Sequence, residues 1–219
     1  MPVRLCLPRT RIKICGIRDI HSAHTAADAG ADAIGFVFVE SSPRFISPEE
    51  AFEIMGALPP FLATVGVTQN LDVDDFTDIE EVCPTLYSQL HGDEPERDVR
   101  ACGPDVIKGI IFDPANPSAV AAQLQRWANV EEVCAVLIDA PMPGAGAPFD
   151  WNLLEPFMDL VNIPIILAGG LTPDNVGEAI RTLRPWGVDV SSGVESQRGI
   201  KDEAKIEAFC EAVRRADAD

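Results

Sequence analysis

Short apolar segments alternate with helix-forming segments along this sequence, and that alternation restricts the possible fold more than any other feature. The apolar segments are rich in β-branched residues and occupy positions 11–17, 33–38, 63–67, 87–92, 106–112, 134–140, 164–170 and 188–193. Several are apolar nearly throughout, which is typical of parallel strands covered by helices. The pattern therefore predicts successive right-handed strand–helix units around a parallel sheet.

Helix starts between these segments are marked by capping residues. Ser47, Pro48 and Glu50 fit a capping box with proline in the first helical position. A cap followed by proline recurs at two other helix starts, and aspartates precede three more helical patterns. The residues predicted to cap a helix N-terminus are Asp19, Ser47, Asn116, Asp150, Thr172 and Asp202.

Eight strand–helix units in 219 residues fit a compact α/β fold, the (β/α)₈ TIM barrel with its parallel eight-stranded barrel. The alternative is an open, doubly wound sheet, which usually carries a glycine-rich nucleotide turn after an early strand. Gly16 stands alone at that place. We expect one barrel domain over 1–219, with 1–10 as an N-terminal lead-in, because no linker divides the chain.

The acidic composition narrows the possible partners. A net charge of −18 with no basic cluster argues against nucleic acid, and an anionic substrate would need a locally positive site. No apolar run is long enough to cross a membrane, and the first residues lack the features of a signal peptide, so a cytoplasmic location is expected. The six cysteines show no CxxC spacing, which disfavours disulfides and structural zinc.

Candidate catalytic groups lie where the predicted strands end, because TIM barrels place their active sites there. Alternation puts Lys13 and Cys15 on one face of the first strand, which we expect to face the barrel interior. The Cys15 thiol is a candidate base or nucleophile, the alternative being a small buried apolar residue. Asp139 closes an apolar strand, where a carboxylate needs either a partner or a chemical role, the alternative being a turn cap.

Small residues end the last two predicted strands. Gly169 and Gly170 follow the seventh strand, and Ser191, Ser192 and Gly193 follow the eighth. Loops in these two places often bind phosphate in TIM barrels, because small residues let backbone N–H groups approach the anion. The sequence therefore predicts a phosphate site that depends little on side-chain charge.

Three further polar residues are candidates for substrate binding. Arg44 follows the second strand, and its guanidinium suits a carboxylate or phosphate, although a solvated loop arginine is the common alternative. His91 ends the fourth strand and either orients substrate or satisfies a loop carbonyl. Asp189 lies within the eighth strand and is expected to face inward.

Taken together, these segments closely resemble phosphoribosylanthranilate isomerases of tryptophan biosynthesis. The similar motifs occur in family order over nearly the whole chain. They are KICG (13–16), DAIGFVF with SPR (32–38, 42–44), VGV (65–67), QLHG (89–92), LIDA (137–140), FDW (149–151), LAGGLTPDNV (167–176) and VDVSSGVES with KD (188–196, 201–202). The resemblance implies a (β/α)₈ barrel without cofactor or metal.

The implied reaction is an Amadori rearrangement of N-(5-phosphoribosyl)anthranilate to 1-(o-carboxyphenylamino)-1-deoxyribulose 5-phosphate. The family's base corresponds to Cys15, its acid to Asp139, and its anthranilate-binding arginine to Arg44. Its phosphate loops correspond to Gly169-Gly170 and Ser192-Gly193. A thiol is mostly protonated at neutral pH, so we expect Lys13 to favour the thiolate. The oligomeric state stays open between monomer and homodimer.

The sequence departs from the family pattern in two loops. PGAGAP (143–148) stands where a GGTG-like loop often precedes FDW, and VGVTQN follows the third strand where VFVN is common. Three other functions are compatible with the same barrel: a histidine-pathway aminoaldose isomerase, a lyase or Schiff-base aldolase using Lys13 or Lys108, and a non-catalytic phosphate-binding barrel. A cysteine–aspartate pair fits the isomerase best, because the histidine-pathway enzymes usually pair two aspartates and binding alone needs neither group.

Overall fold

The structure, a computed structural model, describes residues 9–139 and 150–219. Eight parallel strands within these residues close into a barrel in sequence order. They are β1 (Arg11–Cys15), β2 (Ala33–Val37), β3 (Ala63–Thr68), β4 (Tyr87–Leu90), β5 (Val106–Ile111), β6 (Val133–Asp139), β7 (Ile165–Ala168) and β8 (Gly187–Val190). The predicted (β/α)₈ barrel is confirmed, and every predicted apolar segment overlaps one of these strands.

Helices of the described residues follow the strands and cover the outside of the barrel. They are α1 (Ile20–Asp28), α2 (Pro48–Met55), α3 (Val73–Val82), α4 (Glu96–Ala101), α5 (Pro117–Trp127), α6 (Glu155–Met158), α7 (Val176–Leu183) and α8 (Glu203–Ala218). A small antiparallel hairpin, β9 (Glu195–Gln197) with β10 (Ile200–Lys201), is inserted between β8 and α8. None of the helices in 9–139 and 150–219 is long and apolar enough to span a membrane.

The barrel closes between β1 and β8, where Ile12 aligns with Val188. Side chains alternate across each strand, so Ile12 and Ile14 join the core between barrel and helices. Cys15 instead joins an apolar cluster inside the barrel that includes Val65 and Leu137. The predicted inward direction of Cys15 is therefore confirmed.

Most predicted helix starts agree with the structure. The side chains of Asp19, Asp150 and Asp202 each accept a backbone N–H at the start of a helical segment, and the Ser47 capping box is complete. Asn116 occupies the predicted N-cap position of α5, although its side chain makes no capping hydrogen bond.

The predicted start at Thr172 was wrong. The helix α7 begins at Val176, with Asn175 as its N-cap. The side chain of Asn175 turns back toward the preceding loop, accepting from the Thr172 N–H at 2.8 Å and donating to the Gly170 carbonyl at 3.0 Å. The loop after β7 is thereby braced before the helix begins.

Candidate active site

Cys15 is the last residue of β1 and lies at the carboxyl-terminal end of the barrel interior, 7% exposed. Its neighbour on β2 is Gly35, where an added Cβ would lie only 3.0 Å from the thiol sulfur. Just after β8, the hydroxyl of Ser191 donates to the Cys15 carbonyl at 3.1 Å. Neighbouring strands on both sides thus leave room for the sulfur and hold its backbone.

A buried ion pair lies one layer below Cys15. The Lys13 ammonium donates to an Asp189 carboxylate oxygen at 2.8 Å, and the two side chains are only 5% and 9% exposed. Asp189 therefore faces inward as predicted. Burial lowers the pKa of Lys13, but the neighbouring charges of Asp189 and Cys15 outweigh burial and leave this pKa above its ordinary value.

Two lysines oppose the effect of burial on the pKa of Cys15, the candidate base. Burial raises the pKa of Cys15, whereas the charges of Lys13 and Lys201 act to lower it and that of Asp189 raises it, with the balance above the ordinary value. Lys13 thus acts in the predicted direction without fully offsetting burial. Burial raises the pKa of four other cysteines to about 11: Cys83, Cys102, Cys134 and Cys210.

Asp139 ends β6 on the same face as Ala135 and Leu137, two residues of the barrel interior. Its carboxylate contacts the imidazole Nε2 of His91 at 3.3 Å. The other imidazole nitrogen, Nδ1, lies 3.0 Å from the amide nitrogen of Gln89. The imidazole therefore lies between the side-chain amide of Gln89 on β4 and the carboxylate of Asp139 on β6.

Gly109 makes the contact between His91 and Asp139 possible. It lies on β5, between β4, which ends just before His91, and β6, which ends at Asp139. A Cβ at Gly109 would lie 2.6 Å from Nδ1 of His91. The missing side chain lets the imidazole lie across β5, a role that a glycine within a strand pattern does not reveal on its own.

Arg44 is held by a buried glutamate that sequence reasoning did not single out. Its Nε and Nη2 donate to the two carboxylate oxygens of Glu195 at 2.6 and 3.0 Å. Its aliphatic part crosses the backbone at Gly16, where a Cβ would lie 2.7 Å from Cδ of Arg44. The aliphatic part of Arg44 is therefore placed beside Gly16, the residue that follows β1.

The predicted phosphate loops pack directly against each other. Gly169 and Gly170 have positive φ values of 89° and 62°, which favour glycine. On the neighbouring loop, a Cβ at Gly193 would lie 1.8 Å from the Leu171 carbonyl oxygen. Ser192 is exposed beside it. Small residues in both loops therefore let the two backbones approach each other at the ends of β7 and β8.

Arg44 lies in the loop between β2 and α2, and the other predicted site residues lie at the strand ends or just inside the barrel. Residues 143–148, the altered PGAGAP loop, lie outside the described residues. Within the described ranges, no group of three or more histidine, cysteine, aspartate or glutamate side chains could hold a metal ion. A closed (β/α)₈ barrel with a thiol, a carboxyl and an imidazole at its carboxyl-terminal end defines the class, an enzyme equipped for acid–base chemistry.

Comparisons with known proteins narrow this class. The family model described as N-(5'-phosphoribosyl)anthranilate (PRA) isomerase matches residues 12–212. A Pseudomonas putida protein named N-(5'-phosphoribosyl)anthranilate isomerase is 44% identical over 214 residues, covering 96% of this chain and 100% of its own. The chain belongs to the N-(5'-phosphoribosyl)anthranilate isomerase family.

Solved structures agree with this assignment. The phosphoribosyl anthranilate isomerase of Thermotoga maritima superposes with a TM-score of 0.84 at 38% identity, covering 94% of this chain and 99% of its own. A phosphoribosyl anthranilate isomerase in complex with reduced 1-(o-carboxyphenylamino)-1-deoxyribulose 5-phosphate gives a TM-score of 0.82 at 37% identity, with the same coverage.

Proposed function

We propose that this chain isomerises N-(5'-phosphoribosyl)anthranilate to 1-(o-carboxyphenylamino)-1-deoxyribulose 5-phosphate, with Cys15 as general base and Asp139 as general acid. The observation that carries the proposal is the placement of both side chains on the inward face, each at the carboxyl end of its strand. A ribose held over the barrel would have a thiol on one side and a carboxyl on the other.

The acid step falls to Asp139. Its protonated carboxyl gives a proton to the furanose ring oxygen, the bond from C1 to that oxygen breaks, and the anthranilate nitrogen forms an iminium with C1. The imidazole of His91, 3.3 Å from the carboxylate, is positioned to hold one carboxyl oxygen and leave the other for the proton. General acid catalysis of this kind contributes roughly 10²–10⁴ in rate.

The base step falls to Cys15. Its thiolate removes the proton from C2 of the iminium, the electron pair of that C–H bond forms the C1=C2 double bond, and the π pair of the iminium moves to nitrogen to give an enolamine. The enolamine becomes the ketone when its hydroxyl proton is lost and C1 gains a proton. The iminium nitrogen is the electron sink, so the proposed steps require no added oxidant or reductant.

Substrate binding is proposed at the predicted residues around this pair. Arg44 would receive the anthranilate carboxylate, and the two small-residue loops (Gly169-Gly170 and Ser192-Gly193) would receive the phosphate through backbone N–H groups. His91 and Asp189 complete the wall of the site, with Asp189 acting through Lys13. We propose a cytoplasmic enzyme that works as a monomer or homodimer and needs no cofactor.

The Schiff-base alternative has little support from the two candidate lysines. Lys13 is engaged with Asp189 inside the barrel. Lys108 lies 5.5 Å from the centre of the Trp127 ring on α5, outside the barrel, and pairs with buried Glu94 at 3.0 Å. A nucleophilic amine must be unprotonated, and the charge of Asp189 favours the charged form of Lys13.

Turnover of the substrate tests the proposal directly. The purified chain should consume N-(5'-phosphoribosyl)anthranilate with loss of its anthranilate-type fluorescence. Cys15→Ala should keep the fold and lower kcat by about 10² or more, because the base is gone. Cys134→Ala, which removes a thiol from the same barrel, is the matched control and should retain activity. Near-normal turnover of Cys15→Ala would remove Cys15 from the mechanism.

A further inference from the structure

The glutamate that holds Arg44 belongs to a compact charge cluster of Arg44, Glu195 and Lys201. The Lys201 side chain is 1% exposed, and its ammonium lies 3.1 Å from the Glu195 oxygen that also accepts from Nε of Arg44. The second Glu195 oxygen accepts from Nη2 of Arg44 and, at 3.1 Å, from the backbone N–H of Gly199. Four donors thus hold this one carboxylate.

The hairpin that carries Glu195 is locked against the loop that carries Arg44. Gly199 has φ +84°, and an added Cβ there would lie 2.3 Å from the Pro43 carbonyl oxygen. Lys201 also donates to the carbonyl oxygen of Ser191 at 2.9 Å, which ties the hairpin to the end of β8. The glutamate is therefore a fixed acceptor rather than a mobile surface side chain.

Glu195 binds the guanidinium side-on, through Nε and Nη2, and leaves its other edge unused. A guanidinium can bind a carboxylate through Nε with one terminal nitrogen, or through both terminal nitrogens. Glu195 binds in the first way, through Nε and Nη2. Nη1 of Arg44 has no hydrogen-bond partner among residues 9–139 and 150–219. The Arg44 side chain is 21% exposed and that of Glu195 only 5%, so the open part of the pair belongs to the arginine.

The cluster also remains attractive to an anion. Two positive groups surround one negative group, so the cluster carries a net positive charge within a protein of net charge −18. Burial raises the pKa of Glu195, but hydrogen bonds from Arg44, Gly199 and Lys201 outweigh burial and hold this pKa below its ordinary value. Glu195 therefore stays ionised and keeps Arg44 in place.

We propose that Glu195 is a positioning residue that fixes Arg44 side-on, so that Nη1 and Nη2 together receive the aromatic carboxylate of the substrate. This inference rests on the proposed function, because it assigns the geometry with which the anthranilate carboxylate is bound. Glu195 itself does not touch the substrate. A pre-oriented guanidinium loses less conformational freedom when the carboxylate arrives, which favours binding.

A pair of ligands that differ only in the carboxylate tests the inference. The probes are reduced 1-(o-carboxyphenylamino)-1-deoxyribulose 5-phosphate and the same molecule without its carboxyl group, titrated calorimetrically against the whole chain. The unaltered protein should prefer the carboxylated probe by about tenfold or more, because two charge-assisted hydrogen bonds are added. In Glu195→Gln this preference should fall to within about threefold while the other probe binds as before.

Two variants serve as controls. Glu211→Gln removes the same charge from an exposed position on α8 and should keep the full preference. Arg44→Lys retains the positive charge but lacks the two terminal guanidinium nitrogens that would bind the carboxylate. It should therefore lose the preference although Glu195 is intact. Circular dichroism and the thermal midpoint check the fold of each variant. In steady-state assays, Glu195→Gln should raise KM with little change in kcat.

Each other outcome contradicts the inference in a distinct way. Equal weakening of both probes in Glu195→Gln would mean a merely structural role. Tighter binding of the carboxylated probe would mean that Glu195 competes with the substrate for Arg44. An unchanged preference would mean that Arg44 needs no such support. If the unaltered protein bound neither probe and turned over no substrate, the proposed function would fail, and this inference with it.

Discussion

At the scale of single residues, Cys15 shows how two opposing effects set the reactivity of one thiol. Burial disfavours the thiolate, and the nearby ammonium groups of Lys13 and Lys201 favour it. The four cysteines whose pKa is raised to about 11 have no lysine among the causes of that shift. The position beside Lys13 and Lys201, rather than the residue type, therefore distinguishes the candidate base.

The pH dependence of activity should follow the ionisation of Cys15. Its pKa lies above the ordinary thiol value, so the thiolate fraction, and with it kcat/KM, should rise as pH increases above neutrality. The double variant Lys13→Met/Asp189→Asn removes both buried charges without leaving either unpaired. Lys13 lowers the pKa of Cys15 more than Asp189 raises it, so the rise in kcat/KM should move to higher pH.

Alkylation of Cys15 tests the same pH dependence without substrate. The rate at which iodoacetamide alkylates Cys15, taken as the difference from Cys15→Ala, should follow the thiolate fraction across the same pH range. In the double variant this alkylation curve should move upward in pH together with the kcat/KM curve. A curve that stays in place, or moves to lower pH, would show that Lys13 does not support the thiolate.

At the scale of elements, the barrel geometry lets a residue of one strand act on the side chains of its neighbours. Gly109 on β5 leaves the space in which His91, the residue after β4, reaches Asp139 at the end of β6. The imidazole is only partly buried, so it can swing outward if that space is filled. The contact between imidazole and carboxylate therefore depends on the absence of a side chain at Gly109.

Gly109→Ala should imitate the loss of the histidine. The new Cβ would lie 2.6 Å from Nδ1, so the imidazole must move away from Asp139. We expect Gly109→Ala and His91→Ala each to lower kcat about ten- to a hundredfold, since misplacing a reacting group by about 1 Å can have such an effect. Because both changes disrupt one contact, the double variant should be no slower than His91→Ala.

The KM value separates the two roles open to His91. An unchanged KM supports an action through Asp139, whereas a large rise in KM with normal kcat would mean that the imidazole binds substrate instead. Gly177→Ala on α7 is the matched control, because its Cβ would lie an ordinary 3.4 Å from the nearest atom. That variant should keep its activity and gain roughly 0.5–1 kcal/mol of stability from higher helix propensity.

The strands were predictable because their signal is local, whereas most partners in the site were not. Alternation within β1 was enough to place Lys13 and Cys15 on the inward face. Nothing local connects Arg44 with Glu195, which are 151 positions apart and meet only when the barrel closes. The start of α7 was mispredicted for a related reason, since Asn175 uses its side chain on the preceding loop instead of on a cap at Thr172.

At the scale of the whole molecule, charge is distributed unevenly. The 35 acidic residues outnumber the 17 basic ones, yet several basic side chains gather at the barrel end formed by β1 and β8. Lys13, Arg44 and Lys201 are all held there by carboxylates. An acidic protein can thus present a locally positive site, while the acidic residues elsewhere repel one another.

That repulsion should make the folded state sensitive to salt. Unfolding separates like charges, so screening them should favour the folded protein, and the thermal midpoint should rise between about 10 mM and 200 mM NaCl as the Debye length falls from about 30 Å to below 10 Å. The helix α3 has acidic residues in its first turn and no basic residue in its last. Reversing the exposed Asp78 and Glu81 with Asp78→Lys/Glu81→Lys should raise the low-salt midpoint and flatten its salt dependence. A midpoint that falls with NaCl, or a reversal variant as salt-sensitive as the parent, would show that repulsion among acidic residues does not limit the stability of this barrel.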